Sequence, residues 1–279
     1  SLGADASING NNYEMVSWTF RKAEKFFDVV TYTGNGSART ISHNLGSVPG
    51  MIMVKKTSGT GNWMVYHRGA NGGTNPEQYY GKLNDTDAFS TLASAWNNTA
   101  PTSSVFSLGD QINVNENAAT YVAYLFAHNN NDGGFGPDSD ADIIKCGSYT
   151  GDGSTNNNIN VGFEPQWLMI KNASDTNTSW VIFDSMRGFT DNSVNRLVVN
   201  SDAAEYADSS YNAVAPTSTG FKLTRNEGWY NTNNKTYIYM AIRRGPLAVP
   251  DDATKVFHIK SQSNADSYAV GFPTDLILL

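Results

Sequence analysis

Thr31-Tyr32-Thr33-Gly34-Asn35-Gly36-Ser37 is answered further along the chain by Ser148-Tyr149-Thr150-Gly151-Asp152-Gly153-Ser154. Working outward, Leu45-Gly46-Ser47-Val48-Pro49-Gly50-Met51-Ile52-Met53-Val54-Lys55 is matched by Val161-Gly162-Phe163-Glu164-Pro165-Gln166-Trp167-Leu168-Met169-Ile170-Lys171. Trp63-Met64-Val65-Tyr66 then faces Trp180-Val181-Ile182-Phe183, and Arg68-Gly69 faces Arg187-Gly188. Ala100-Pro101-Thr102-Ser103 faces Ala215-Pro216-Thr217-Ser218, and Thr120-Tyr121-Val122-Ala123-Tyr124-Leu125-Phe126 faces Thr236-Tyr237-Ile238-Tyr239-Met240-Ala241-Ile242. Matched blocks in one order, at a period of about 116 residues, are the signature of an internal duplication.

Each block reads as a strand. Met51 to Val54 and Trp167 to Ile170 are continuous apolar runs bounded by Pro and Lys, too short for helices. Tyr121 to Phe126 and Tyr237 to Ile242 are aromatic and β-branched, which suits central strands covered on both faces. Gly34-Asn35-Gly36 and Gly151-Asp152-Gly153 accept positive φ and predict hairpin turns between their flanking strands. One short helix is predicted within Asp85 to Trp96, where Phe89, Leu92 and Trp96 fall at helical spacing. The expected fold is all-β: two tandem β-sandwich, jelly-roll-like modules related by duplication, with partial modules at both ends.

The expected boundaries follow from the blocks. Residues 1–25 carry the closing strand of a preceding partial module, Asn12 to Arg21, and residues 26–132 the first sandwich. Residues 133–247 hold a linker, rich in Asn, Gly and Asp from Asn129 to Asp142, and the second sandwich. Residues 248–279 supply opening strands of a following partial module, with Val270 to Ile277 matching the Gly-Phe-x-Pro block. Half-modules at both ends predict a slice of a longer repetitive protein, or halves that complete each other within or between subunits. Both ends, Tyr13–Phe20 and Leu276–Leu279, are expected to dock against β-modules, because an unpaired strand leaves its backbone groups open.

Composition narrows the function classes. The 279 residues carry a net charge of −7 without any Lys/Arg block, so neither nucleic acid nor an anionic membrane is an expected partner. No apolar run reaches the length of a membrane-spanning helix, and Ser1 to Gly10 lack the pattern of a signal peptide. The single cysteine, Cys146, leaves no intrachain disulfide and no Cys-based zinc site; a buried small hydrophobe is the expected role.

The duplication supplies a test for chemistry, since a site belonging to the module should appear twice. His43, His67, His128 and His258 fail it, which argues against a His-based triad or a module-level metal site. Glu164 and Asp184 sit beside strands without carboxylate counterparts, and spacing along the chain leaves a glycosidase-like pair untested. The weak calcium candidates are Asp138, Asp140 and Asp142 on a Gly-rich loop, where a solvated linker is the simpler reading. Arg68 and Arg187 recur and are candidate ligands for an acidic sugar, with a structural role preferred. Trp63 and Trp180 recur as candidate stacking platforms, with core packing preferred. No catalytic residue and no cofactor is expected.

The strings Ile41 to Lys56, Gly147 to Ser154, Gly162 to Lys171 and Ala241-Ile242-Arg243-Arg244-Gly245-Pro246 are similar to strings in large virion proteins of marine tailed bacteriophages. Those proteins are labelled tail-fibre-like or structural, and the resemblance runs from about Asn12 to Phe272. It implies a virion surface protein that carries no catalytic set. Its implied partners are other virion proteins, further copies of itself as a homo-oligomer, and a host surface glycan. A tail-fibre or receptor-binding segment is the first reading, a capsid decoration or head-fibre protein the second, and a polysaccharide depolymerase the third.

Overall fold

The computed structural model describes residue 11 and residues 16–190, 195–206 and 213–245, and within them the chain is built almost wholly of antiparallel strands. The first half contains β1 (Phe27–Thr33), β2 (Arg39–Ser42), β3 (Pro49–Lys56), β4 (Met64–His67), β5 (Tyr79–Lys82), β6 (Ser90–Thr91), β7 (Val105–Leu108) and β8 (Thr120–Ala127). The second contains β9 (Ile144–Thr150), β10 (Asn157–Asn160), β11 (Pro165–Asn172), β12 (Val181–Asp184), β13 (Leu197–Val198), β14 (Val214–Thr217), β15 (Gly220–Leu223) and β16 (Thr236–Arg243).

Each half pairs a large sheet with a small one. The large sheets run β1-β8-β3-β4-β5-β6 and β9-β16-β11-β12-β13, and the small ones β2-β7 and β10-β15-β14. The matched sequence blocks therefore occupy matched positions in the sheets. β8 and β16 are flanked on both sides, as their apolar composition predicts. The ladders share an irregularity too: a register shift falls between Pro49 and Met51 and again between Pro165 and Trp167. Proline lacks the N–H that a regular ladder needs at that point.

Alternation along the strands assigns two buried faces to each large sheet. In the second half, Leu168, Ile170, Phe183 and Tyr237 pack with Phe221 and Leu223 of the small sheet. The opposite face, with Trp167, Met169, Ile182 and Met240, belongs to a cluster that also holds Met51, Met53, Val65 and Phe126 of the first half. The two large sheets thus face each other across a shared apolar interior, and the halves are packed as one body rather than as beads on a string.

Three local expectations are corrected. The Gly-x-Gly segments are not hairpin turns: β1 pairs β8 while β2 pairs β7, so each segment is an arch from one sheet to the other, and β9 to β10 repeats the pattern. The helix expected over Asp85–Trp96 shrinks to Ala93–Trp96, because Ser90–Thr91 pair as a strand and Phe89 packs against Trp180. Tertiary contact overrides the helical spacing there. Val16–Lys22 form no strand although a closing strand was expected, whereas Leu276–Leu279 and Val270–Ile277 lie outside the described residues.

The segment expected as a linker is also more ordered than its composition suggests. Phe135 bridges Ala141, the Asp142 carboxylate accepts from the amides of Asn131 (2.9 Å) and Gly133 (3.1 Å), and Lys25 Nζ donates to Asp132 O. A side chain at position 133 would meet Ala141 O at 2.3 Å, so the glycine lets the loop close on itself.

Candidate functional site

What recurs in both halves is a polar clasp under the Gly-x-Gly arch. Buried Asn115 reaches into the first arch: its Nδ2 donates to Asn35 Oδ1, to Ser37 O and to Gly109 O, and its Oδ1 accepts from Asn35 N at 3.0 Å. Asn231 does the same in the second, donating to Asp152 Oδ1 and Ser154 O and accepting from Asp152 N at 3.1 Å. Gly36 N donates to Asn115 O and Gly153 N to Asn231 O. A Cβ at Gly34 would lie 2.2 Å from Glu116 O and one at Gly151 2.1 Å from Thr232 O, which is why the arch begins on glycine each time.

Stacked tyrosines close the clasp. The Tyr32 and Tyr121 rings lie 5.2 Å apart, and those of Tyr149 and Tyr237 5.0 Å apart. Tyr32 donates to Val114 O and Tyr149 to Tyr230 O, while Tyr121 donates to Ile112 O and Tyr237 to Gly228 O. The hydroxyls of Tyr121 and Tyr237 in turn accept from Glu116 N and Thr232 N. The polar atoms of this repeated site are engaged with main-chain groups and with one another. These bonds fix the arches. The sequence carried a signal for it, Asn six residues before Tyr in both copies, which a search for His and carboxylates passes over.

The described histidines are likewise committed to backbone. His67 Nδ1 accepts from Gly69 N at 3.0 Å, and Nε2 lies 3.1 Å from Tyr239 O, so Nε2 carries the proton. His43 repeats this geometry with Leu45 N and Thr102 O, and His128 Nδ1 accepts from Cys146 N. Burial holds all three as neutral imidazoles, bringing His67 down to about 3 and His128 to about 4; nearby Arg68 acts in the same direction on both. Cys146 is buried as expected, with its thiol pushed up to about 12 by burial, which makes it an unreactive packing residue.

The residues singled out from sequence are dispersed. Arg68 is exposed and directly follows β4, whereas Arg187 is half-buried in a single 3-10 turn beyond β12. Ladder pairing sets His67 opposite Met51 and Asp184 opposite Trp167, so Arg68 corresponds in place to Ser185 and the two arginines are not equivalent. Arg187 pairs with Asp184 and Glu205, and its guanidinium stacks 5.0 Å from the Trp18 ring centre. Trp63 is half-buried against Tyr124, and Trp180 is buried in the seam, donating to Lys82 O at 2.8 Å. Neither indole forms an open stacking platform.

The carboxylates do not converge either. Glu164 pairs with Arg244 at 3.0 Å on the surface, and Asp184 is held by Arg187 and Trp18. Asp138 and Asp140 are exposed, and Asp142 is occupied by backbone amides and Lys145. Among the described residues no set of three His, Cys, Asp or Glu side chains is placed to hold a metal ion.

Clefts lie at two places among the described residues. One, of about 510 Å³, lies between the facing large sheets and is lined by Phe27, Met53, Tyr124, Trp167 and Met240, with Trp18 and Phe20 at its mouth. The other, also about 510 Å³, is a shallow polar groove beside the first arch, lined by Ser37, Ser94, Asn97 and Asp110. No described helix is long and apolar enough to cross a membrane.

Comparison with known proteins gives a family. The model of a domain of unknown function, DUF7483, matches residues 1–246, across both halves. The chain belongs to that family. Nothing among curated proteins matches it. A solved structure described as "Crystal Structure of the STIV MCP" aligns with 78% of this DUF7483 chain and 87% of its own, at 9% identity and a TM-score of 0.20. A likeness of that size carries no argument about fold or function.

Proposed function

We propose that this protein is a structural component of the virion of a tailed bacteriophage, on the particle surface, and that it is not an enzyme. The reading rests first on the similarity of its strings, Ile41 to Lys56 and Gly162 to Lys171 above all, to those of large phage virion proteins. One structural observation supports it: the repeated polar site is engaged in holding arches, and the described histidines and Cys146 are buried on backbone partners. A protein organised this way offers shape and loops, not a reacting group. The finer reading is a tail-fibre or receptor-binding segment that presents loops to a host glycan, built as a homo-oligomer beside other virion proteins.

The alternative is a capsid decoration or head-fibre protein with no ligand of its own. The shared interior of the two halves favours neither place. Electron microscopy of intact particles decorated with an antibody against this chain separates them: label at the tail tip supports the first, label over the capsid the second. Unlabelled particles in which the antigen is absent would refute the virion reading. Release of reducing ends from a panel of host polysaccharides, lost on Glu164→Gln or Asp184→Asn, would refute the non-enzymatic part.

A further inference from the structure

The N-terminal run Val16–Lys22 crosses the mouth of the cleft between the large sheets. Trp18 Nε1 donates to Asp184 Oδ2 at 3.0 Å, and Arg187 covers its ring. Phe20 wedges between the halves, with ring centres 5.5 Å from Phe27, 5.3 Å from Phe126 and 6.3 Å from Trp167. Lys22 pairs with buried Asp28 at 2.6 Å, and backbone pairing begins only at Ala23, which exchanges bonds with Phe27. Upstream of Ala23 the described main chain forms no ladder, so two aromatic side chains and one ion pair hold the run in place.

We propose that this run is an exchangeable strap, and that the Trp18–Phe20 segment of a second copy of the chain takes the same seat, so that copies are linked through the cleft. Three observations carry this. The seat recognises this peptide specifically, since an indole N–H must meet the buried Asp184 carboxylate and a second ring two residues on must meet Phe126 and Trp167. The cleft beneath keeps about 510 Å³ of open space, so the strap is not locked by close packing. The pivot is already formed, because Ala23 is anchored and Lys25 turns the chain at a φ of 59°. Exchange remakes the Trp18 and Phe20 contacts in trans while Ala23 stays paired with its own Phe27, so its main cost is that of association, which rising concentration offsets.

The test uses the full chain with p-benzoylphenylalanine in place of Phe20, prepared in heavy-isotope and normal forms, mixed and illuminated. Exchange predicts cross-links joining residue 20 of one isotope form to β8 or β11 of the other, in a fraction that rises with concentration. Cross-links confined to a single isotope form at the highest concentration the protein tolerates would overturn the proposal. A second measurement, sedimentation of the Trp18→Ala/Phe20→Ala chain with its β circular dichroism intact, guards against misreading. Self-association lost in that variant supports the strap; self-association unchanged in it assigns the contact to another surface and also overturns the proposal. The inference does not depend on the virion reading, because a solution dimer tests it without reference to any particle.

Discussion

The two halves agree where the chain must hold itself and differ where they meet. The arch, its buried asparagine and the tyrosine stack are the same in both. On the facing sheets, by contrast, Met51 stands opposite in role to Trp167, Tyr124 to Met240 and His67 to Asp184. A hydrogen-bonded arch tolerates few substitutions, because each lost partner leaves a buried group unpaired. A face packed against the other, non-identical half has no such constraint and needs only to fit the surface it meets.

The largest expected effect breaks the comparison at His67. Its folded pKa is held near 3 by burial, below the 6.5 of an unfolded histidine. Between pH 6.5 and about 3 the unfolded chain therefore binds a proton that the folded chain refuses. Stability falls as pH falls through that window and levels off below it. At about 1.4 kcal/mol per pH unit the loss from this group is on the order of 4–5 kcal/mol. His128 and His43 act in the same direction. Asp28 adds a later loss below pH 3.8: burial raises its pKa, but Lys22 and the amides of Asn44 and Val29 outweigh that and lower it. Urea denaturation from pH 7 downward measures the slope, and His67→Gln should flatten it. An unchanged slope in that variant would show that His67 is not the proton-refusing group.

The second effect sharpens the comparison. Asn115→Ala and Asn231→Ala each remove a buried amide that bridges several part-buried polar groups of an arch, at a cost of about 2 kcal/mol apiece. Because each asparagine makes the same three bonds to its arch and one further bond of its own, to Gly109 O or from Asn157 Nδ2, the two losses should agree to within about 1 kcal/mol. Thermal and urea unfolding of both variants checks this, and a loss in one half only would mean that the clasps are not equivalent.

Much of this organisation was legible before the structure. The matched blocks placed β3 and β11, because continuous apolar runs bounded by Pro and Lys admit few other readings, and β8 and β16, because aromatic and β-branched runs suit central strands. The arches were misread because Gly-Asn-Gly signals a reversal without saying which sheet the chain joins next. The clasp was missed because Asn115 and Asn231 matter through burial, which composition does not reveal. Arg68 and Arg187 looked equivalent because a shared Arg-Gly dipeptide outweighed a small shift in register. Only the ladder exposes such a shift.

Lys55 and Lys171 are the next-to-last residues of β3 and β11, and both tie the following loop. Lys55 Nζ donates to Gly61 O, while Lys171 Nζ donates to Asn172 O and Thr178 Oγ1. Lys171 is wholly buried, and burial brings its pKa down to about 8. From pH 8 to 10.5 the unfolded chain keeps a proton that folded Lys171 has released, so stability from this group rises with pH across that range. Lys171→Met removes a buried charge but leaves two acceptors short of a donor, and should fall within about 1 kcal/mol of the parent at pH 7. It should also lose the alkaline rise, whereas Lys55→Met should keep it. Denaturation at pH 8 and pH 10 decides.

The smallest effect concerns the two carboxylates that sequence alone left as a glycosidase-like pair. Glu164 and Arg244 are 41% and 47% exposed along their side chains, so water screens their ion pair. Glu164→Gln should change stability by less than about 0.5 kcal/mol. Asp184 is 6% exposed along its side chain and serves Arg187, Trp18 and the 3-10 turn that follows β12. Asp184→Asn keeps the shape but loses the charge that holds Arg187, and should cost about 2 kcal/mol while loosening the strap. Quenching of Trp18 by a soluble quencher reads that loosening directly, and Glu164→Gln should leave it unchanged. If the two substitutions gave equal quenching, Asp184 would be no more than a surface carboxylate, and the strap would have to be held by Phe20 alone.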